Sequence, residues 1–263
     1  QPLFADHLPR PQPMLSVWVA GGLLALCGAL TLAEVAGAYP RTGGLFVFIR
    51  EGWGRLPAFL FGWSELVVIR AASLGAISTT FAEYFFRAIG REPGVAPYDD
   101  YVHYLAAIAI IVTAAFNYVG VRWGALVQNL TTVAKYGGLL FIVLFALAVG
   151  LPEGTANFTP AVPPGSFTIS AFGLALVSVL WAFDGWADLS FVAGEVKDPR
   201  RNVPRALILG VTSVIVIYLL ANVAYLAIFP IDQLRQSPRI AADVAMQLIG
   251  TAGVVFVGVT VML

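Results

Sequence analysis

The stretch SVLWAFDGWADLSFVAGEVKDPRRNVPRA, Ser178–Ala206, decides how this 263-residue chain folds, because a helix breaker lies in an apolar run. Asp184 and Gly185 interrupt a segment that is largely apolar from Ile169 to Phe183. Glycine permits unwinding, and aspartate competes with the backbone for hydrogen bonds, so the pair weakens a helix at this point. The pattern predicts two half-helices joined by a short turn at residues 183–185.

The composition around this stretch is that of a membrane protein. Hydrophobic residues make up 59% of the chain and charged residues 11%, which is not typical of a soluble domain. The formal net charge is zero, so nothing indicates a nucleic-acid partner. The single cysteine, Cys27, lies in an apolar segment and offers neither a disulfide framework nor a cysteine metal cluster.

Seven segments exceed the roughly 18 residues that a membrane-spanning helix needs. Because the loops between them are short, we expect one transmembrane domain over residues 1–263. A helical bundle satisfies the backbone in lipid, and the alternation of a membrane barrel is absent. Since the sequence starts without Met and stops in an apolar run, we expect a fragment of a longer protein. The predicted spans are residues 14–38, 56–86, 102–121, 125–150, 167–194 (broken at 183–185), 206–229 and 241–263.

The basic residues are unevenly distributed between the two sides of this bundle. Loops 39–55, 119–125 and 195–205 share one side and carry eight Lys or Arg residues, whereas the other side carries five. The positive-inside rule therefore predicts that these three loops are cytoplasmic.

Lys135, Glu65 and Arg70 are ionisable residues embedded in predicted spans, where a charge needs a partner or water. Lys135 lies about ten residues into its span, roughly 15 Å of helical rise, so we expect it to face protein. It is either a structural amine that bonds backbone carbonyls or a coupling cation. Glu65 and Arg70 are five residues apart and do not form the favoured i, i+4 pair, so we expect them to bond other helices in a packing role.

A non-helical turn at residues 183–185 requires protein or a water-filled cavity around it. Discontinuous transporter helices use such turns to hold an ion or a substrate on freed backbone groups. The alternative is an intact helix with Gly185 at a close helix contact. On the next span Tyr218, Asn222 and Tyr225 share one helical face, which either lines a path or joins helices through hydrogen bonds.

Three stretches carry a family resemblance: GALTLAEVAGAYPRTGGLFVFIREGWGRLPAFLFGWSELVVIR from Gly28, QNLTTVAKYGGLL from Gln128 and WAFDGWADLSFVAGEVKDPRRNVPRALI from Trp181. They resemble helices 2 and 3, helix 5 and helix 6 of amino acid permeases of the amino acid, polyamine and organocation superfamily. The resemblance is to the L-amino acid transporter branch and its bacterial members. It implies a LeuT-like inverted-repeat bundle of twelve helices, of which this chain covers the outer half of helix 1 to helix 8.

The resemblance also implies a substrate site at the helix break. Backbone carbonyls of Trp181, Ala182 and Phe183 would receive the amino group of the substrate, and Asp184 and Gly185 would complete the break. The Trp181 side chain would close over the substrate as an outer gate.

We expect a coupling or gating role for Lys135, Tyr218 and Asn222, and the resemblance supports the first two. Lys135 matches a lysine whose amine lies where sodium-coupled relatives bind sodium, which favours sodium-independent transport. Tyr218 matches a tyrosine near the inner side of the site, and Asn222 lies one turn further on.

Some family features are missing from this sequence. The glycine-rich break of helix 1 would lie before Gln1. The loop between helices 3 and 4 lacks the cysteine with which animal members bond a heavy chain, so we expect no disulfide-linked subunit. The segment IRAAS, Ile69–Ser73, lacks the proline that often follows the arginine.

We therefore expect a secondary transporter of amino acids in the plasma membrane, the inner membrane of a bacterium. It would work by alternating access as a sodium-independent exchanger; the alternatives are proton-coupled symport through Lys135 and a transport-inactive amino acid sensor. No HExxH or GxSxG motif indicates an enzyme, and no metal or cofactor is expected. The Asp184 carboxylate either attracts a cationic side chain or holds the turn, and the sequence favours the turn.

Overall fold

The computed structural model describes residues 11–119, 121–158, 168–237 and 239–262. This part of the chain is helical and contains no β-strand, which confirms the all-α fold class. In this part of the chain a π-helical turn, Glu65–Ile69, and two 3-10 segments, Thr155–Phe158 and Trp186–Glu195, lie between the α-helices. In chain order the α-helices are α1 Pro11–Ala38, α2 Gly44–Trp53, α3 Arg55–Ser64, α4 Arg70–Ala88, α5 Tyr98–Val119, α6 Val121–Gly154, α7 Ile169–Ala182, α8 Pro199–Ile228, α9 Ile231–Gln236, α10 Ile240–Ile249 and α11 Thr251–Met262.

Within the described ranges, six helical segments are long and apolar enough to cross a membrane. Helices α3 and α4 form one of them, continuous through a π-helical turn, and α7 with the following 3-10 segment Trp186–Glu195 forms another. The six segments are Gln12–Ala38, Arg55–Ala88, Tyr98–Tyr118, Gly124–Pro152, Ile169–Glu195 and Pro199–Ile228.

The last predicted span, residues 241–263, forms two shorter helices, α10 and α11, in the part that the structure describes. Gly250 separates them with φ of +67°, and its N–H donates to the Met246 carbonyl at 2.9 Å. Glycine adopts this left-handed conformation without a Cβ penalty, which makes it a common residue immediately after a helix. The largely apolar composition of the segment does not predict this boundary.

The chain divides into two compact units, each assembled from separate stretches of sequence. The first comprises Gln1–Gly62 and Ala146–Ile240. In it α1 packs along α8 and α7 and against the 3-10 segment. The packing is close enough that a Cβ at Gly21 of α1 would lie 2.5 Å from Val179 of α7. The buried centre contains Leu32, Ala33, Ala36, Ala193, Val203 and Leu207.

The second unit comprises Trp63–Phe145 and Ala241–Leu263. Helices α4 and α5 form an antiparallel pair whose buried contact includes Ala82, Phe86, Val102 and Ala106. Helix α11 packs against α4, and the rings of Phe141 and Phe256 are 5.6 Å apart.

Between α3 and α4 the backbone forms a π-helical turn at Glu65–Ile69, and here the structure corrects the sequence analysis. The Arg70 Nε donates to the Glu65 carboxylate at 2.6 Å, so the expectation that these side chains bond elsewhere rather than to each other is wrong. A π-turn has i to i+5 hydrogen bonds, and the Arg70 N–H donates to the Glu65 carbonyl. The wider turn therefore places residues five apart next to each other.

Candidate functional site

The helix break begins where α7 loses its regular hydrogen bonds. Helix α7 ends at Ala182, and the N–H of Phe183 is shared between the carbonyls of Val179 at 3.1 Å and Leu180 at 3.2 Å. The Asp184 N–H then donates to the Trp181 carbonyl at 3.2 Å. This tightening into i to i+3 bonds is a common way for a helix to end.

Gly185 reverses the backbone at the end of this turn, with φ of +105° and ψ of −17°. This conformation is readily available only to glycine, which explains why the second residue of the Asp-Gly pair is a glycine. Its carbonyl accepts the Asp188 N–H at 3.1 Å, and the 3-10 segment Trp186–Glu195 follows. The break therefore consists of residues 183–185, near the middle of the membrane-length segment Ile169–Glu195.

The five residues predicted to bind substrate differ in exposure. Trp181 is 72% exposed, whereas Phe183 is 5% exposed. Ala182 is half-buried, and both Asp184 and Gly185 are exposed. Among the residues that the structure describes, none forms a hydrogen bond or an ion pair with the Asp184 carboxylate.

Three aromatic side chains, Trp18, Phe183 and Tyr218, cluster at the break and are called the aromatic triad below. Their ring centroids are 5.3 to 5.8 Å apart. The Tyr218 hydroxyl donates to the Ala182 carbonyl at 3.3 Å, the last carbonyl of α7. Sequence reasoning missed Trp18, because it lies on α1 and nothing in the local pattern relates it to the break.

The polar face of α8 is half-buried at Tyr218 and buried beyond it. The Asn222 side chain is 3% exposed, and its amide donates to the Tyr218 carbonyl at 2.7 Å. Tyr225 is 5% exposed. Of the two interpretations of this face, burial favours helix packing over a solvated path. Tyr218 lies at the break, whereas Asn222 lies one helical turn further along α8.

Lys135 belongs to the second unit and lies on α6. Its side chain is exposed, so the described part of the chain does not cover the ammonium that we expected to face protein. In the same described ranges no cluster of three or more His, Cys, Asp or Glu side chains is arranged to hold a metal ion.

Comparison with known proteins identifies the family. A model of the family described as amino acid permease matches residues 3–263. The chain belongs to the amino acid permease family. The predicted family, the membrane location and the expectation that the chain is not an enzyme are thereby confirmed.

Individual relatives of this permease are moderately similar. It is 35% identical over 229 residues to the b(0,+)-type amino acid transporter 1 of Homo sapiens, covering 87% of the chain and 47% of that protein. It is 31% identical over 240 residues to the serine/threonine exchanger SteT of Bacillus subtilis, covering 91% and 52%. It is 30% identical over 236 residues to the human cystine/glutamate transporter, covering 90% and 47%. The chain spans about half the length of these relatives.

Proposed function

We propose that the whole protein carries amino acids across the plasma membrane as a sodium-independent exchanger, and that the substrate amino group binds at the helix break. One observation carries this proposal. Helix α7 ends at Ala182 inside a membrane-length segment, and the backbone there presents carbonyls that the helix does not use.

Two carbonyls at the break are suited to an ammonium group. The Ala182 carbonyl accepts the Tyr218 hydroxyl at 3.3 Å, a long bond between neutral groups. No described residue donates to the Phe183 carbonyl. Both lie at the C-terminal end of α7, where the helix dipole favours positive charge. An ammonium donates three hydrogen bonds and carries a full charge, so it displaces a neutral hydroxyl.

The exposed Asp184 carboxylate extends the same site toward substrates with a second positive charge. It lies next to the unbonded Phe183 carbonyl, and within the described ranges it holds no turn hydrogen bond. This observation favours contact with a cationic side chain over the turn-holding role that the sequence favoured. We therefore propose that both neutral and dibasic amino acids are substrates.

We propose alternating access as the transport mechanism of the whole protein. The break, the aromatic triad and α8 all belong to the first compact unit. Inverted-repeat transporters open a fixed substrate site to one side of the membrane at a time. The seven predicted spans would form part of such a twelve-helix protein.

Topology and partners complete the proposal. Loops 39–55, 119–125 and 195–205 face the cytoplasm, and Lys135 takes the place of a sodium ion. No disulfide-linked heavy chain attaches through the loop at residues 89–97, which contains no cysteine. The protein needs no cofactor.

Uptake by the full-length protein in vesicles tests this proposal. We expect labelled alanine and arginine to enter vesicles preloaded with alanine, at equal rates in sodium and in choline buffer. Uptake that requires a pH gradient would replace the proposal with proton-coupled symport. Alanine binding that persists while flux stays at background would replace it with a sensor.

A further inference from the structure

The 3-10 segment Trp186–Glu195 that follows the break is ten residues long. Runs of 3-10 helix longer than about four residues are uncommon, because their hydrogen-bond geometry is poorer than that of an α-helix. The 3-10 form rises about 2.0 Å per residue and the α form about 1.5 Å, so this segment is roughly 5 Å longer than the same residues in an α-helix. Contacts outside the segment must hold it in this form.

The turn between α1 and α2 supplies such contacts through two adjacent glycines. The Gly43 N–H donates to the Phe191 carbonyl of the 3-10 segment at 2.9 Å. Gly44 has φ of +46°, and a Cβ there would collide with Ser190 Oγ and lie 2.9 Å from the Phe191 nitrogen. A side chain at Gly44 would therefore push the two backbones apart.

A third glycine makes the same kind of contact from the other side. A Cβ at Gly194 would collide with Thr42 Oγ1 and lie 3.1 Å from the Thr42 nitrogen. Between the glycine contacts Ser190 is fully buried, and its hydroxyl donates to the Ala187 carbonyl at 2.6 Å. We call residues 42–44 together with Ser190, Phe191 and Gly194 the glycine clasp.

We propose that the glycine clasp positions the helix break for transport, a role that rests on the proposed function. The clasp holds the far half of the 3-10 segment, and Gly185 precedes its near end. Release would let the segment shorten toward an α-helix and draw Gly185 away from its present position by up to roughly 5 Å. The clasp residues act on the break through the segment and do not themselves touch substrate.

The test compares amide hydrogen exchange in variants of the full-length protein in lipid nanodiscs. Gly194→Ala should speed exchange at least about tenfold in peptides covering residues 39–48 and 186–195, while peptides from α1 and α8 stay unchanged. Gly52→Ala is the matched control, because a Cβ at Gly52 meets nothing within 4 Å. Thr42→Ala removes the colliding hydroxyl, so the double variant should return to within about threefold of wild type.

Uptake by the same proteins separates positioning from binding. Gly194→Ala should lower the maximal rate of alanine uptake at least about fivefold with KM within about twofold, and Thr42→Ala should restore that rate. Two results would overturn the proposed role of the glycine clasp. One is an amide hydrogen exchange rate in Gly194→Ala equal to that in Gly52→Ala. The other is an unchanged maximal rate of alanine uptake in Gly194→Ala despite faster hydrogen exchange. Absence of uptake by the wild-type protein would contradict the proposed function. Amide hydrogen exchange would still test the glycine clasp in that case.

A milder variant, Ser190→Ala, tests the proposal even if Gly194→Ala does not fold. Ser190→Ala keeps the shape of the clasp and removes the hydrogen bond to Ala187. The rate of amide hydrogen exchange should then rise about threefold in the peptide covering residues 186–195 and in no other peptide. No change in that peptide would overturn the proposal.

Discussion

At the scale of single residues, the hydrogen bond from Tyr218 to the Ala182 carbonyl explains how the end of α7 is stabilised before substrate binds. A carbonyl left without a partner away from water costs free energy, so a tyrosine hydroxyl 3.3 Å away is a useful substitute. The same bond makes Tyr218 a competitor of the substrate ammonium, because both donate to the same oxygen.

Removing the Tyr218 hydroxyl should therefore strengthen substrate binding. Tyr218→Phe keeps the aromatic triad and removes a bond worth about 1 kcal/mol, so KM for alanine should fall about two- to tenfold. Uptake kinetics measure this, with Tyr118→Phe as control because Tyr118 is 94% exposed. A higher KM in Tyr218→Phe would show instead that the hydroxyl binds substrate.

Asp184 leads to a second prediction about a single residue. Its carboxylate is exposed, and no residue in the described part of the chain bonds to it. Hydrogen bonds to charged groups contribute about 1.5–3 kcal/mol, so Asp184→Asn should raise KM for arginine at least about tenfold. KM for alanine should change less than about threefold. Equal losses for the two substrates would mean that the carboxylate serves the turn.

At the scale of elements, the π-helical turn in the span Arg55–Ala88 brings Glu65 and Arg70 into an ion pair. Glu65 is 16% and Arg70 41% exposed in their side chains, and their atoms are 2.6 Å apart. A lone charge at the centre of a membrane helix costs about 2.5–3.5 kcal/mol on insertion scales, and the pair offsets part of this cost for both groups. An uninterrupted α-helix would separate these two side chains.

The pair leads to a stability prediction. Glu65→Gln should lower the free energy of unfolding by about 2 kcal/mol, because the charged hydrogen bond from Arg70 Nε to the Glu65 carboxylate is lost. Replacing both residues with leucine should recover most of the loss. Thermal unfolding in detergent measures both effects. Glu83→Gln is the control, because its i, i+4 pair with Arg87 near the end of α4 is worth less than about 1 kcal/mol. Equal destabilisation by Glu65→Gln and Glu83→Gln would contradict this role.

Elements differ in how well their sequence predicts them. A break near Asp184-Gly185 is predictable because two helix-weakening residues interrupt an apolar run. The pairing of Glu65 with Arg70 is not, because it requires a π-turn and the i, i+4 rule assumes an α-helix. The boundary at Gly250 is equally hidden, since glycine is also common inside membrane helices and the flanking residues are largely apolar.

At the scale of the whole molecule, the apolar composition determines a helical membrane bundle, and the residues around the break come from distant parts of the chain. Trp18 of α1, Phe183 after α7 and Tyr218 of α8 meet only after folding. Local periodicity cannot predict such a meeting, which explains why sequence reasoning found two members of the triad and missed the third. For Lys135, the position within a span was predictable from the sequence, but the exposure of its side chain was not.

Exchange across the membrane tests the central proposal most directly. The measurement loads vesicles that contain the full-length protein with labelled alanine and follows its efflux with and without unlabelled alanine outside, in sodium-free buffer at equal pH. We predict that external alanine accelerates efflux at least about tenfold, because the loaded transporter reorients faster than the empty one. Efflux that is the same with and without external alanine, or that requires sodium, would contradict sodium-independent exchange.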